Sequence, residues 1–290
     1  MGDLQFIVLA DTQFGMFAHS SGKTPEQIAE ARSRGLIFRS APKFDGLAPE
    51  TALFEDAVRR ANSIRPRFVV ICGDLVNDPV DDSQQRELRR ITGLLDPAIR
   101  MRFVPGNHDV AFDTTHPTPE SLERYRSAFG ADYYAFDEGG TAFIAVNTTV
   151  IQQPAGVPGE WEAQLEFVGR SLHTARSNGA QRVVIFGHHP LFVVDPDEDD
   201  SYWNIPRERR ALLLKLLRQS RVDAMFAGHL HRNTFAEYDG LQMVSSGPVG
   251  YPLGDDPSGY RVVEVGRNGV QHDYRPLTPL AGEWGQLEPA

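Results

Sequence analysis

Short runs of apolar residues alternate with amphipathic stretches along most of the chain. "LQFIVLAD" (4–11), "RFVVICGD" (67–74), "MRFVPGNHD" (101–109), "TAFIAVN" (141–147), "RVVIFGHH" (182–189) and "DAMFAGHLH" (223–231) each read as a buried strand running into a polar turn. Stretches of helical character lie between them, at about 49–64, 83–95, 119–129, 160–177 and 206–220. The third of these has a clear start: Thr118 as N-cap, Pro119 at the first helical position, and Glu120 and Glu123 near the N-terminus. Asp-Gly in "YDGLQMV" (238–244) and Asn-Gly in "GRNGVQHDY" (266–274) predict hairpins. Strands alternating with helices, then hairpins, predict an α/β layered sandwich with mixed sheets, formed as one domain over residues 1–290. Two segments fit no element. Residues 14–48 are too long for an ordinary connection, and residues 190–205 read "PLFVVDPDEDDSYWNI". Long loops at strand ends either shape a binding site or are disordered.

Composition narrows the classes. The chain has 290 residues, 41% of them hydrophobic and 23% charged, which is ordinary for a soluble globular protein. A net charge of −10 argues against a binder of nucleic-acid backbone, which carries a basic face. No apolar run reaches membrane-spanning length, and the N-terminal run lacks the basic flank of a signal peptide. Cys72 is the single cysteine, so no disulfide forms within the chain, and a reducing compartment fits.

The polar residues at the strand ends carry the chemistry. The first strand ends in Asp11 and Gln13, the second in Asp74 and Asn77, and the third in Asn107, His108 and Asp109. A later strand ends in His188 and His189, and the last in His229 and His231. A lone Asp after a strand is most often a turn former, and a lone His is more often a hydrogen-bonded residue than a ligand. Five strand ends bearing carboxylate, amide and imidazole groups are not explained by packing, because sites in open α/β sheets form at the carboxyl ends of strands. His229 and His231 are two apart, so they share a face if the chain there is extended. Without a thiolate cluster the donor set suits Mn, Fe or Zn, and Mg less well; it is larger than one ion needs. Two divalent ions sharing a carboxylate would use it fully.

"D-x-Q", "GD-x-x-N", "GNHD", "GHH" and "GHLH", in this order from residue 11 to 231, resemble the five signature blocks of the calcineurin-like metallophosphoesterases. The resemblance implies two mixed β-sheets packed face to face and flanked by helices. It implies that Asp74 bridges both ions, that Asp11, Gln13 and His231 complete the first site, and that Asn107, His188 and His229 complete the second. His108 would touch the phosphate and the leaving oxygen, with Asp109 orienting it through its other ring nitrogen. His189 matches no ligand position. The implied reaction is attack by a metal-bridging hydroxide, with His108 assisting the leaving group.

Most of the superfamily has His where Gln13 stands, and a neutral amide oxygen favours Mn, Fe or Mg over Zn. "ADTQFG", "TPTPESLERYRSAFGADYYAF", "DEDDSYWN", "GHLHRN" and "DPSGYRVV" are similar to the cytosolic serine/threonine phosphatase branch. That branch implies a phosphorylated protein as substrate and a cytoplasmic location. Cyclic-nucleotide and other phosphodiesterases share the five blocks and form the alternative reading. Substrate contacts are less legible. Arg32, Arg34, Arg39 and Lys43 can meet a phosphate or simply be solvated. Phe14, Trp161, Tyr202 and Trp203 are candidates for the mouth, although loop aromatics more often pack against the domain. The acidic run Asp195, Asp197, Glu198, Asp199 and Asp200 reads as a solvated lid rather than a third ion site.

Overall fold

The computed structural model describes residues 4–33, 35–112 and 116–277. In chain order the elements are β1 (Leu4–Leu9), α1 (Met16–Ser20), α2 (Pro25–Ser33), α3 (Ala48–Ile64), β2 (Phe68–Cys72), α4 (Asp82–Thr92), β3 (Arg100–Val104), α5 (Asn107–Val110), α6 (Pro119–Phe129) and β4 (Tyr134–Glu138). They continue with β5 (Thr141–Ala145), α7 (Thr148–Gln152), α8 (Glu160–Ser177), β6 (Arg182–Phe186), α9 (Arg207–Gln219), β7 (Ala224–Ala227), β8 (Thr234–Tyr238), β9 (Leu241–Ser245), β10 (Gly259–Gly266) and β11 (Gly269–Pro276).

Side-chain direction alternates along a strand, and here both directions are apolar. In β1, Phe6 and Val8 join one buried cluster while Ile7 and Leu9 join another. The first cluster lies between two sheets. Phe6 stacks on Phe68 with ring centroids 4.8 Å apart and meets Phe143 and Phe186 edge-on at 5.4 and 5.7 Å. The second cluster joins the outer face of the first sheet to Phe54 and Val58 of α3, Ile91 of α4 and Tyr125 of α6. A third joins Ile144, Ile185 and Met225 of the other sheet to Val168 of α8 and Leu213 and Leu217 of α9. Burial on both faces explains why the strands read as continuous apolar runs.

The sheets have the orders β11-β10-β1-β2-β3 and β4-β5-β6-β7-β9-β8, and both are mixed. β1, β2 and β3 run parallel, as do β5, β6, β7 and β9. Two mixed sheets packed face to face and flanked by helices is the architecture expected from the sequence. The parallel strands all end at one rim, and the strand-end residues collect there. The Asp-Gly hairpin forms as expected: Tyr238 pairs with Leu241 across Asp239 and Gly240, both at positive φ.

Several boundaries differ from the sequence expectation. The strand expected over 101–109 runs instead over Arg100–Val104, and Asn107–Val110 is a helical turn. β7 stops at Ala227, so His229 and His231 do not lie on an extended strand. Residues 14–48 contain α1 and α2, and Phe14 bridges to Val76. β4, whose residues alternate between half-buried and exposed, carried too little apolar signal to be foreseen.

Glu50, in the first turn of α3, ties this helix to the segment beyond Gln13. It is buried, and its Oε1 accepts from the backbone amides of Gly15 (3.0 Å) and Phe17 (2.9 Å). Burial pushes its carboxyl from the ordinary 4.5 up to about 7, against the pull of those two amides. The folded state therefore holds this proton more tightly than the unfolded chain. The stability this gives is fully present below about 4.5 and is lost as pH rises through about 7. Replacing Glu50 by Gln removes the titration. Denaturant unfolding from pH 4.5 to 7.5 should show the wild type losing about 3 kcal/mol relative to Glu50→Gln. A constant difference across that range excludes the buried proton.

Candidate metal centre

Asp11, Gln13, Asp74, Asn107, His188, His229 and His231 all stand just beyond the carboxyl ends of β1, β2, β3, β6 and β7. The chain must turn sharply there to aim each side chain back over the sheets. Asp11, Gln13, Asp74, His229 and His231 take left-handed backbone conformations, with φ of 50°, 31°, 49°, 69° and 51°. Such values are unfavourable for residues with a Cβ and cluster at functional sites. The two-residue spacing of His229 and His231 thus works through a left-handed turn, not through an extended chain.

Among the described residues two groups of potential ligand atoms form, and both contain Asp74: Asp74, His188 and His229 in one, and Asp11, Asp74 and His231 in the other. His188 Nε2 lies 3.3 Å from Asp74 Oδ2 and 3.1 Å from Asn107 Oδ1. His231 Nε2 lies 3.4 Å from Asp11 Oδ1. The other Asp74 oxygen, Oδ1, accepts from the His108 amide at 2.9 Å. Two glycines make the approach possible. A Cβ at Gly106 would stand 2.2 Å from Asp74 Oδ1, and one at Gly73 (φ 82°) would stand 2.4 Å from His188 Nδ1.

His188, His231, His229 and His108 each have one ring nitrogen on a backbone carbonyl. His188 Nδ1 meets Cys72 O at 2.9 Å, His231 Nδ1 meets Tyr251 O at 2.6 Å, and His229 Nε2 meets Tyr202 O at 3.0 Å. His108 Nδ1 meets Asn77 O at 2.8 Å. A carbonyl only accepts, so the facing nitrogen carries the proton and the lone pair is left on the other one. This is the arrangement of an imidazole prepared to bind an ion.

The charges also suit cations. Burial raises the Asp11 carboxyl well above its ordinary value. Burial opposes ionisation of Asp74 as well, but the His188 and His108 imidazoles outweigh it and hold that carboxyl below the usual range. Burial lowers His188, yet the Asp74 carboxylate outweighs it and lifts the ring to about 9. Protons gather where divalent ions would otherwise supply the positive charge. Burial pulls His229 down to about 3 and His231 to about 4, so both rings are neutral and able to ligate. Gln13 donates through Nε2 to Asn77 Oδ1 at 3.2 Å, which leaves its carbonyl Oε1 buried without a partner. An unpartnered buried oxygen at this place fits a ligand for a hard divalent ion.

Asp109 does not orient His108. Its carboxylate accepts from the amides of Leu75 (3.0 Å) and Gly106 (2.8 Å), and so clamps the turns after β2 and β3 together. The Asn77 carbonyl holds His108 instead. The four orienting carbonyls were not foreseen, since a main-chain oxygen has no residue-type signature. His189 is buried, with Nδ1 3.4 Å from Thr148 Oγ1, and belongs to neither ligand group.

Above these residues is a cavity of about 150 Å³, lined by Gln13, Asp74, Asn77, His108, His229 and His231 and by residues of the segments 14–48 and 190–205. Of the four aromatics considered for its mouth, Tyr202 and Trp203 line it, whereas Phe14 and Trp161 are buried in the core. Arg39 is also buried, donating to the carbonyls of Gly254 and Asp256, and Lys43 donates to that of Ala18. Arg32 is exposed on α2, and Arg34 lies outside the described residues. In the acidic run, Glu198 turns inward and accepts from the amides of Val193, Val194 and Asp195.

The family model for calcineurin-like phosphoesterases matches residues 4–233. The serine/threonine-protein phosphatase CPPED1 of Danio rerio is 35% identical over 286 residues, covering 97% of this chain and 87% of that protein. A cAMP/cGMP dual specificity phosphodiesterase of Mycobacterium tuberculosis is 28% identical over 186 residues, covering 62% of this chain and 53% of that protein. Among solved structures, a dimetal phosphatase from Danio rerio superimposes with a TM-score of 0.61 at 19% identity, over 93% of this chain and 98% of that one.

Asp74 is the residue common to both ligand groups, so its charge should matter to both. Asp74→Asn keeps the shape and an acceptor for the His108 amide. Elemental analysis after dialysis against dilute Mn should find about two ions per wild-type chain and fewer than one per variant chain. Two retained ions in the variant would remove Asp74 from the bridging position.

Proposed function

The chain belongs to the calcineurin-like phosphoesterase family, and on that premise we propose that this phosphoric ester hydrolase acts on phosphomonoesters, with phosphoserine and phosphothreonine in proteins as its substrates. The observation that carries the reading is the pair of ligand groups joined by Asp74 on the floor of a cavity that His108 also lines. Similarity to CPPED1 phosphatases over nearly the whole chain supports protein substrates; similarity to the phosphodiesterase covers less of the chain and is the weaker alternative.

In this reading Asp11, Gln13, Asp74 and His231 would hold one ion, and Asp74, Asn107, His188 and His229 the other. Divalent ions held by these residues would supply positive charge for the phosphate and a lowered pKa for the attacking water. The carbonyls of Cys72, Tyr251 and Tyr202 keep three rings aimed at their ions. The Asn77 carbonyl fixes one proton of His108 on Nδ1, which leaves Nε2 as the atom that would hand a proton to the departing oxygen as the phosphorus–oxygen bond breaks. Through the same Nε2, His108 would also donate to the phosphate. The hard oxygen of Gln13 favours Mn, Fe or Mg over Zn in the first position. A single domain is part of the proposal and is supported by a site that draws on both sheets. No helix among the described residues is long and apolar enough to cross a membrane. A cytoplasmic location belongs to the same proposal, supported by the branch resemblance and the lone cysteine Cys72.

Metal-defined enzyme should be assayed on a phosphoserine peptide and on a phosphodiester with Mn, Fe, Mg, Zn or Ni added in turn. The expected result is a strong monoester preference, highest with Mn or Fe. A diester preference with every metal overturns the phosphatase reading. His108→Ala should retain its ions and lose about 10²- to 10⁴-fold in turnover, the scale of general acid catalysis. Turnover near wild type with ions in place would take His108 out of the reaction.

A further inference from the structure

The two segments that fit no predicted element meet above the candidate centre. Tyr202 and Trp203 come from one side, and Met16, His19, Leu36 and Phe38 from the other. The Tyr202 ring packs on His229 at 4.7 Å between centroids, and Trp203 reaches the same imidazole at 5.4 Å. Tyr202 and Trp203 meet edge to face at 5.0 Å. The Trp203 indole spans to the opposite segment: a methyl built on Gly35 would lie 3.5 Å from its Nε1. Trp203, Leu36 and Phe38 pack against the same apolar cluster.

This arrangement is braced from behind. Beyond its three amide contacts, Glu198 accepts from Asn204 Nδ2 at 2.6 Å. The fully buried Arg210 lies 3.7 Å from the Glu198 carboxylate and donates to the carbonyls of Leu191 and Glu198. Asp200 takes the amide of Arg207 at 2.6 Å. The acidic side chains thus fold the loop on itself, and Tyr202 and Trp203 face the centre. Tyr202 keeps one side to solvent, with 55% of its surface exposed, so the cavity stays open at the mouth.

We propose that Trp203 and Phe38 are specificity-determining residues: together they narrow the cavity so that it takes a phosphate on a slender side-chain stem and refuses a phosphate flanked by a nucleoside. The inference rests on the phosphatase reading and deepens it. A space of about 150 Å³ is well under the roughly 300–1,000 Å³ of pockets that enclose drug-sized ligands, a class that includes nucleotides. A phosphorylated serine or threonine enters as one tetrahedral group on a thin arm, whereas a cyclic nucleotide brings sugar and base with its phosphorus. The phosphodiesterase alternative thus differs from the phosphatase in the walls of the cavity and not in its floor. Neither Trp203 nor Phe38 is a candidate ligand, but Trp203 meets the His229 ring, so ion content has to be read beside activity in its variants.

The test compares Trp203→Ala, Trp203→Phe and Phe38→Ala with wild type in their Mn-loaded form. It measures ion content, and kcat/KM on a phosphoserine peptide and on 3′,5′-cyclic AMP. With two ions retained, Trp203→Ala and Phe38→Ala should each raise the ratio of cyclic nucleotide to peptide activity by about tenfold or more, the scale on which apolar pocket contacts discriminate. Trp203→Phe should stay within about threefold of wild type on the same scale. An unchanged ratio in both alanine variants, with ions in place, overturns the proposal. Its failure is separate from that of the phosphatase reading, which is decided by the preference of the wild type alone.

Discussion

Asp74 is the buried charge around which the site is arranged. Its carboxylate belongs to both ligand groups, takes the His108 amide, and stands against His188. A carboxylate with so little access to water is tolerable only where positive charge and donors surround it. Much else follows from that need. Gly106 must lack a side chain, the turns after β2 and β3 must come close, and Asp109 must hold them there through the amides of Leu75 and Gly106. The two sheets meet through a block of phenylalanines, and the site lies at the rim where their parallel strands end.

Orientation of the rings is a tertiary property. Cys72 closes β2, Asn77 follows it, Tyr202 lies in the loop before α9, and Tyr251 lies between β9 and β10. None of them contributes a side chain to a candidate ion, yet each one's carbonyl fixes which nitrogen of a histidine carries a proton. An ion centre of this kind is preorganised by the folded chain as a whole, and ions bound to it stabilise that fold in return.

The strand ends were legible because a doubly buried strand is a continuous apolar run, and the first polar residue after it is conspicuous. The five left-handed positions and the turn at Asn107–Val110 were not legible, since they arise where the chain bends to serve the site and follow no periodicity. Asp109 shows the difference between residue type and role: a carboxylate beside a histidine suggests a partner for the ring, but its oxygens are spent on backbone amides. Phe14 and Trp161, the latter on α8, illustrate the same point for aromatics, whose size draws them into the core unless a braced loop holds them at the surface. Tyr202 and Trp203 sit on such a loop, where Glu198 and Arg210 do the bracing.

The left-handed backbone at Asp11, Gln13, Asp74, His229 and His231 has a consequence for sequence change. Glycine would sit in these conformations with less strain than the side chains now present. At these positions the substitutions that best suit the backbone are the ones that strip the site of its donors. Selection for thermal stability alone would therefore drift toward a better folded and inert protein, and the present residues mark places where stability has been yielded to chemistry.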